Sequence, residues 1–220
     1  MTKAEVHARI EEIGILPAIR VSDPERAYFA AETVYHGGIP LAEITLTVPS
    51  ALDVIARLTK HLGDAVIGAG TVLDVEMARR CLGAGAVFLT SPGFVPEVVE
   101  FALKNDVVVF PGALTPTEVI AAWKAGADFV KIFPCDQVGG SHYIRALKVP
   151  LPQIPLIASG GVTQQTALDF ILAGASLLGI GGQLIPQEAL YKRNATQIHE
   201  LARRFLGIVK DARAQMDNIE

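Results

Sequence analysis

KAGADFVKIFP, residues 124–134, contains one structural period of this chain. A helix-patterned segment closes at Lys124, Gly126 stands where a left-handed C-terminal cap belongs, and FVKIFP (129–134) follows as a short apolar strand. The same punctuation returns in LGAGAVFL (82–89) at Gly85, in LAGASLLGI (172–180) at Gly174, and at His36-Gly37-Gly38. Outward from this stretch, apolar runs alternate with longer helix-patterned segments. The runs are ILPAIRV (15–21), LAEITLT (41–47), AVIGAGT (65–71), VFLTS (87–91), VVVFPGA (107–113), FVKIFP, PLIASGG (155–161) and LLGIGG (177–182). Helices are expected over 24–35, 50–61, 75–82, 96–104, 116–124, 141–147, 164–172 and 194–215. Ser22-Asp23-Pro24 and Thr115-Pro116 each set a capping side chain before a first-turn proline.

Strands that are apolar on both faces suit a parallel sheet covered by helices. Eight such units in 220 residues predict an α/β fold, a single closed (β/α)8 TIM barrel spanning residues 1–220. MTKAEVHARIEEIG (1–14) adds an N-terminal helix with Val6, Ile10 and Ile13 on one side, and lacks the apolar run of a signal peptide. An open doubly wound sheet is the competing architecture. The Gly-x-Gly-x-x-Gly turn that would mark it after the first strand is absent.

Half the residues are hydrophobic and 19% are charged, a composition that buries a large core. A formal charge of −4 and a pI near 5.7 give no electrostatic reason to expect nucleic acid or an anionic membrane as partner. No segment approaches the roughly 18 apolar residues of a membrane span. Cys81 and Cys135, the only two cysteines, have no metal or redox spacing, so a reducing, cytoplasmic setting is expected. The five histidines are dispersed, and no metal or other cofactor is expected.

The anomaly in FVKIFP is its lysine. An ammonium group in an apolar strand costs several kcal/mol, on the order of 5, unless it is paired or gives up its charge. Barrel strands point alternate residues inward, and Val130 and Ile132 form a natural helix-facing pair, so Lys131 should point inward with Phe129 and Phe133. In LAEITLT the same rule turns Glu43 inward, opposite Ala42, Ile44 and Leu46. A structural Lys–Glu pair, or a lysine that snorkels to the barrel mouth, explains this much. Other strand ends, however, carry polar or glycine groups: Arg20, Thr71, Ser91-Pro92-Gly93, Pro111-Gly112, Ser159-Gly160-Gly161 and Gly181-Gly182-Gln183. That rim is where barrel active sites are built. Desolvation favours the neutral amine of a lysine so placed, and a neutral amine attacks a carbonyl to form a Schiff base. Glu43 would then move protons as general acid and base.

The stretches LAEITLTVPS, IGAGTV, SPG, PGALTPTE, FVKIFP and SGGV, in this order, resemble the class I 2-keto-3-deoxy-6-phosphogluconate (KDPG) and 4-hydroxy-2-oxoglutarate (KHG) aldolases, from about residue 13 to the last helix. The resemblance implies retro-aldol cleavage of a 2-keto-3-deoxy acid to pyruvate and an aldehyde, in the KDPG case glyceraldehyde 3-phosphate, within carbohydrate metabolism of the Entner–Doudoroff type. It implies Lys131 as the Schiff-base lysine, Glu43 as general acid/base, Thr71 on the keto-acid carboxylate, and Pro92 and Phe133 walling the pyruvyl end. It also implies a homotrimer.

Two positions depart from the pattern. Many members carry arginine where this chain has Thr47, and Arg20 is expected to supply the carboxylate's cation through its bidentate fork. Gln183 stands where phosphate-binding members usually have serine. Phosphate is still expected on the backbone N–H groups of Gly160, Gly161 and Gly182, beside Ser159, with an unphosphorylated acid or 4-hydroxy-2-oxoglutarate as the alternative. A sugar-phosphate isomerase and a noncatalytic keto-acid binder are the readings from other classes.

Overall fold

The computed structural model describes residues 1–217. Its strands are β1 (Ile15–Ile19), β2 (Leu41–Thr45), β3 (Val66–Gly70), β4 (Phe88–Thr90), β5 (Val108–Phe110), β6 (Gly112–Ala113), β7 (Val130–Ile132), β8 (Leu156–Ser159) and β9 (Ala175–Ile180). Its α-helices are α1 (Lys3–Ile13), α2 (Pro24–His36), α3 (Ala51–His61), α4 (Val75–Gly83), α5 (Pro96–Lys104), α6 (Pro116–Lys124), α7 (Ser141–Lys148), α8 (Ala167–Leu172), α9 (Gln187–Tyr191) and α10 (Ala195–Asp217). The paired strands run parallel in the order β5-β4-β3-β2-β1-β9-β8-β7-β6.

The expected eight strands become nine because VVVFPGA breaks at Pro111. Proline lacks the N–H that a continuous ladder needs. The two edges of the sheet, β5 and β6, are therefore the two halves of one run. Hydrogen bonds stitch the seam: Lys131 N–H donates to the Pro111 carbonyl at 2.9 Å and Asp128 N–H to the Val109 carbonyl at 3.2 Å. Val109 N–H in turn donates to the Asp128 carboxylate at 2.9 Å. The result is a nearly closed parallel barrel with helices outside, as the sequence predicts, and not an open doubly wound sheet.

Helix ends follow the expected chemistry. Gly85, Gly126 and Gly174 have φ of 98°, 96° and 102°, left-handed conformations that suit glycine. Asp23 caps α2 by accepting from Arg26 N–H at 2.7 Å, and Thr115 and Glu118 form a full capping box on α6. Two boundaries differ. α8 begins at Ala167 rather than 164, because Thr163 and Thr166 bond each other's backbone N–H groups first. The five-residue α9 has no capping side chain to announce it.

The lower barrel is filled by aromatic rings. Phe88, Phe110 and Phe129 are fully buried, and burying each contributes roughly 1.5–3 kcal/mol. Phe110 lies 5.4 Å from Phe88 and 5.3 Å from Phe129, centroid to centroid. Space for Phe88 comes from Gly68, where a Cβ would fall 2.3 Å from the ring. His7 of α1 stacks on Phe129 at 4.7 Å, so α1 covers the N-terminal mouth with Val6 and Ile10 buried beneath it. Above this plug the interior turns polar, toward the strands' C-terminal ends.

Candidate active site

The strand parity puts Lys131 and Glu43 inside. Glu43 pairs across the sheet with Ala18 and Gly68, and Lys131 with Gly112 and Ile157. Lys131 Nζ lies 3.5 Å from Glu43 Oε2, with the two side chains 9% and 1% exposed. This ion pair is looser than the roughly 2.7–2.9 Å of a tight charged hydrogen bond, so the amine is not locked to its partner. Nζ also sits 5.8 Å from the centre of the Phe133 ring.

Glu43 is held by shape as much as by charge. A Cβ on Gly70 would fall 2.0 Å from Glu43 Oε1 and 2.6 Å from its Cδ, so only glycine at the end of β3 leaves room for the carboxylate. Gly70→Ala should push the carboxylate aside and lower turnover about 100-fold, the scale on which small misplacements act. On the Schiff-base expectation for Lys131, borohydride trapping of a carbonyl substrate there should persist in that variant. Wild-type turnover by steady-state assay would show that the packing does not position Glu43.

Both groups line a cavity of about 340 Å³ at the C-terminal rim, with Arg20, Phe133, Ser159, Gly160 and Gly182 of the sequence-predicted set. Gly179 and Gly181, also on its wall, keep it open. Thr47, Thr71, Pro92, Gly161 and Gln183 are not on that wall. Thr47 caps the end of β2: its hydroxyl lies 2.8 Å from that of Thr45, which donates to the Ile19 carbonyl at 3.0 Å just before Arg20. Thr71 is left-handed at φ 62°, a costly conformation for a β-branched residue of the kind found at functional rims. The Pro92 carbonyl packs where a Cβ on Gly112 would fall, 2.2 Å away.

The glutamine on the cavity wall is Gln187, the first residue of α9, and not Gln183. Past Gly182 the chain turns back, with Leu184 and Ile185 N–H both donating to the Gly181 carbonyl at 3.0 Å. Strand parity does not extend through such a turn, and only the short helix brings Gln187 to the pocket. Nothing in the local sequence besides Pro186 before it marked the position.

Other reactive groups stand apart. Burial pushes the Cys135 thiol up to about 12 and that of Cys81 to about 11, so neither offers a thiolate near neutral pH. Among the described residues no three His, Cys, Asp or Glu side chains gather to hold a metal ion, and no helix is long and apolar enough to cross a membrane. One buried side-chain oxygen among them, Thr90 Oγ1, has no hydrogen-bond partner. Leaving a buried hydroxyl unbonded costs about 1–3 kcal/mol.

Comparison with known proteins bears on this arrangement. A model of the KDPG and KHG aldolases matches residues 6–201. The chain is 31% identical over 201 residues to the 2-dehydro-3-deoxy-phosphogluconate aldolase of Treponema pallidum, covering 91% of this chain and 95% of that one. It is 32% identical over 190 residues to the KHG/KDPG aldolase of Escherichia coli K12, covering 86% and 89%. Among solved structures, it superposes with a TM-score of 0.83 and 28% identity on the KDPG aldolase of Legionella pneumophila, in which pyruvate was captured at low pH as a covalent carbinolamine intermediate. That match covers 90% of this chain and 96% of the other.

Proposed function

This chain belongs to the KDPG and KHG aldolase family, an aldolase and carbon–carbon lyase, and from that premise we propose that it cleaves 2-dehydro-3-deoxy-6-phosphogluconate through a Schiff base on Lys131. The observation that carries the reading is the loose, buried pairing of Lys131 with Glu43 at the cavity. Lys131 Nζ attacks the C2 carbonyl, whose oxygen leaves as water, and a protonated imine results. Glu43 takes the C4 hydroxyl proton as the C3–C4 bond breaks; the electron pair passes into the imine, leaving an enamine and releasing glyceraldehyde 3-phosphate. Glu43 returns the proton to C3, and water hydrolyses the imine to pyruvate and free lysine. The covalent pyruvate adduct of the Legionella pneumophila relative supports this route.

Arg20 supplies the cation for the substrate carboxylate in this reading, with Phe133 against the pyruvyl end and Thr47, Thr71 and Pro92 on the bordering rim. The backbone N–H groups of Gly160, Gly161 and Gly182, with Ser159, take the phosphate end, and Gln183 beside them, in place of the usual serine, is a hydrogen-bonding group for a hydroxyl or carboxylate instead. We further propose a homotrimer in the cytoplasm; the family resemblance supports the first and the cysteine usage the second.

Pyruvate release in a coupled lactate dehydrogenase assay tests the substrate. Across phosphorylated and unphosphorylated 2-keto-3-deoxy acids and 4-hydroxy-2-oxoglutarate, kcat/KM should be highest on the 6-phosphogluconate derivative. Gln187→Ala should change the preference among these acids by about tenfold, the weight of one polar contact, while trapping of pyruvate on Lys131 stays as in the wild type. An unchanged ranking would remove Gln187 from recognition, and no pyruvate from any acid would overturn the aldolase reading itself.

A further inference from the structure

Thr90 ends β4, and its side chain shares the inward parity of Phe88. In the β3–β4 ladder Ala69 pairs with Leu89, so the next inward pair, Gly70 and Thr90, stands side by side. The ladder continues past them, with Val72 N–H donating to the Thr90 carbonyl at 3.0 Å. On its other side Gly70 pairs with Thr45 and carries the Glu43 carboxylate directly over its Cα. A residue without a side chain thus separates an unspent buried donor, the Thr90 hydroxyl, from a buried acceptor with a single loose partner.

Thr90 is 1% exposed, so its hydroxyl lies beneath the cavity surface rather than on it. Its hydroxyl has to act through another group. Among the described residues, the charged groups that face Glu43 around the cavity are Lys131 on β7 and Arg20 past β1; β3, β4, β8 and β9 present none there. When Lys131 becomes an imine its nitrogen is tied to substrate, and Glu43 must leave it to reach the reacting carbons.

We infer that Thr90 is a positioning residue for Glu43: its hydroxyl donates to the carboxylate once Glu43 turns from Lys131 toward the substrate, and fixes it there for proton transfer. A valine of the same shape would fill the site without an unbonded hydroxyl, so the hydroxyl costs stability in the resting protein and is recovered in the working one. The inference rests on the Schiff-base reading above.

Thr90→Val and Thr90→Ser in the full chain test it, with three readouts. Borohydride trapping of pyruvate reports the imine at Lys131, exchange of pyruvate C3 protons for deuterium by NMR reports proton transfer by Glu43, and thermal melting reports the fold. Thr90→Val should trap pyruvate normally, melt at or above the wild-type temperature, and lose about tenfold in both exchange and kcat with KM unchanged. Thr90→Ser should restore both rates. Exchange at the wild-type rate in Thr90→Val would overturn the inference and leave Thr90 a packing residue. A wild-type chain that neither traps nor exchanges pyruvate would instead overturn the Schiff-base reading, and this inference with it. Should Thr90→Val fail to fold, Thr90→Ala carries the same readouts.

Discussion

Lys131→Ala is expected to lose turnover by at least about 10⁴-fold and to lose the borohydride-trapped pyruvate adduct with it, because among the described residues no other amine lies on the cavity wall to form the imine. The variant should still fold. Removing the ammonium leaves Glu43 with no ion-pair partner at 1% exposure, which costs about 3–5 kcal/mol. For a chain of this size that lowers Tm by about 6–20 °C. Activity by the coupled pyruvate assay, adduct by peptide mass mapping and Tm by circular dichroism separate the outcomes. A variant that unfolds at room temperature would make the pair structural, and one that keeps an adduct would place the Schiff base elsewhere.

Glu43→Gln should fall on the opposite side of the imine. The amide keeps the shape that Gly70 accommodates but neither accepts nor returns a proton, so pyruvate should be trapped on Lys131 while cleavage slows by about 10³-fold. KM should change little, since Glu43 acts on the reacting carbons rather than on the ends of the substrate. Single-turnover cleavage beside adduct formation measures the split. Equal loss of adduct and cleavage would mean that Glu43 serves to hold Lys131, and unchanged cleavage would remove it from the chemistry.

The two groups were legible in the sequence because strands obey a period of two. Val130 and Ile132 betray which side of β7 faces the helices, Ala42, Ile44 and Leu46 do the same for β2, and the charged residues between them have only the interior left. Helix ends were legible through Gly85, Gly126 and Gly174, whose left-handed φ is a local property. Whatever depends on a turn or on a distant neighbour was not. Gln187 reaches the cavity through a reversal at Gly181 and a five-residue helix, neither of which has a period to read. Gly70 looks like any strand-end glycine until Glu43, arriving from another strand, occupies the space where its side chain would be. Thr90 carries no signal at all, since an unbonded hydroxyl is visible only after every partner has been placed.

The break at Pro111 has a consequence for the life of the chain outside its active site. VVVF, at residues 107–110, is an uncharged, β-prone window of the sort that templates aggregation when a sheet edge lies open. Here the edge of β5 that does not pair with β4 is covered by the segment entering β7, where Val109 N–H donates to the Asp128 carboxylate at 2.9 Å and Asp128 N–H to the Val109 carbonyl at 3.2 Å. The barrel therefore protects its stickiest segment by closing on itself, with the charged Asp128 side chain taking up one of the N–H groups of that edge. Residues 110–112 are themselves buried, so the proline break that splits the run is shielded from the proteases that cut exposed loop tips.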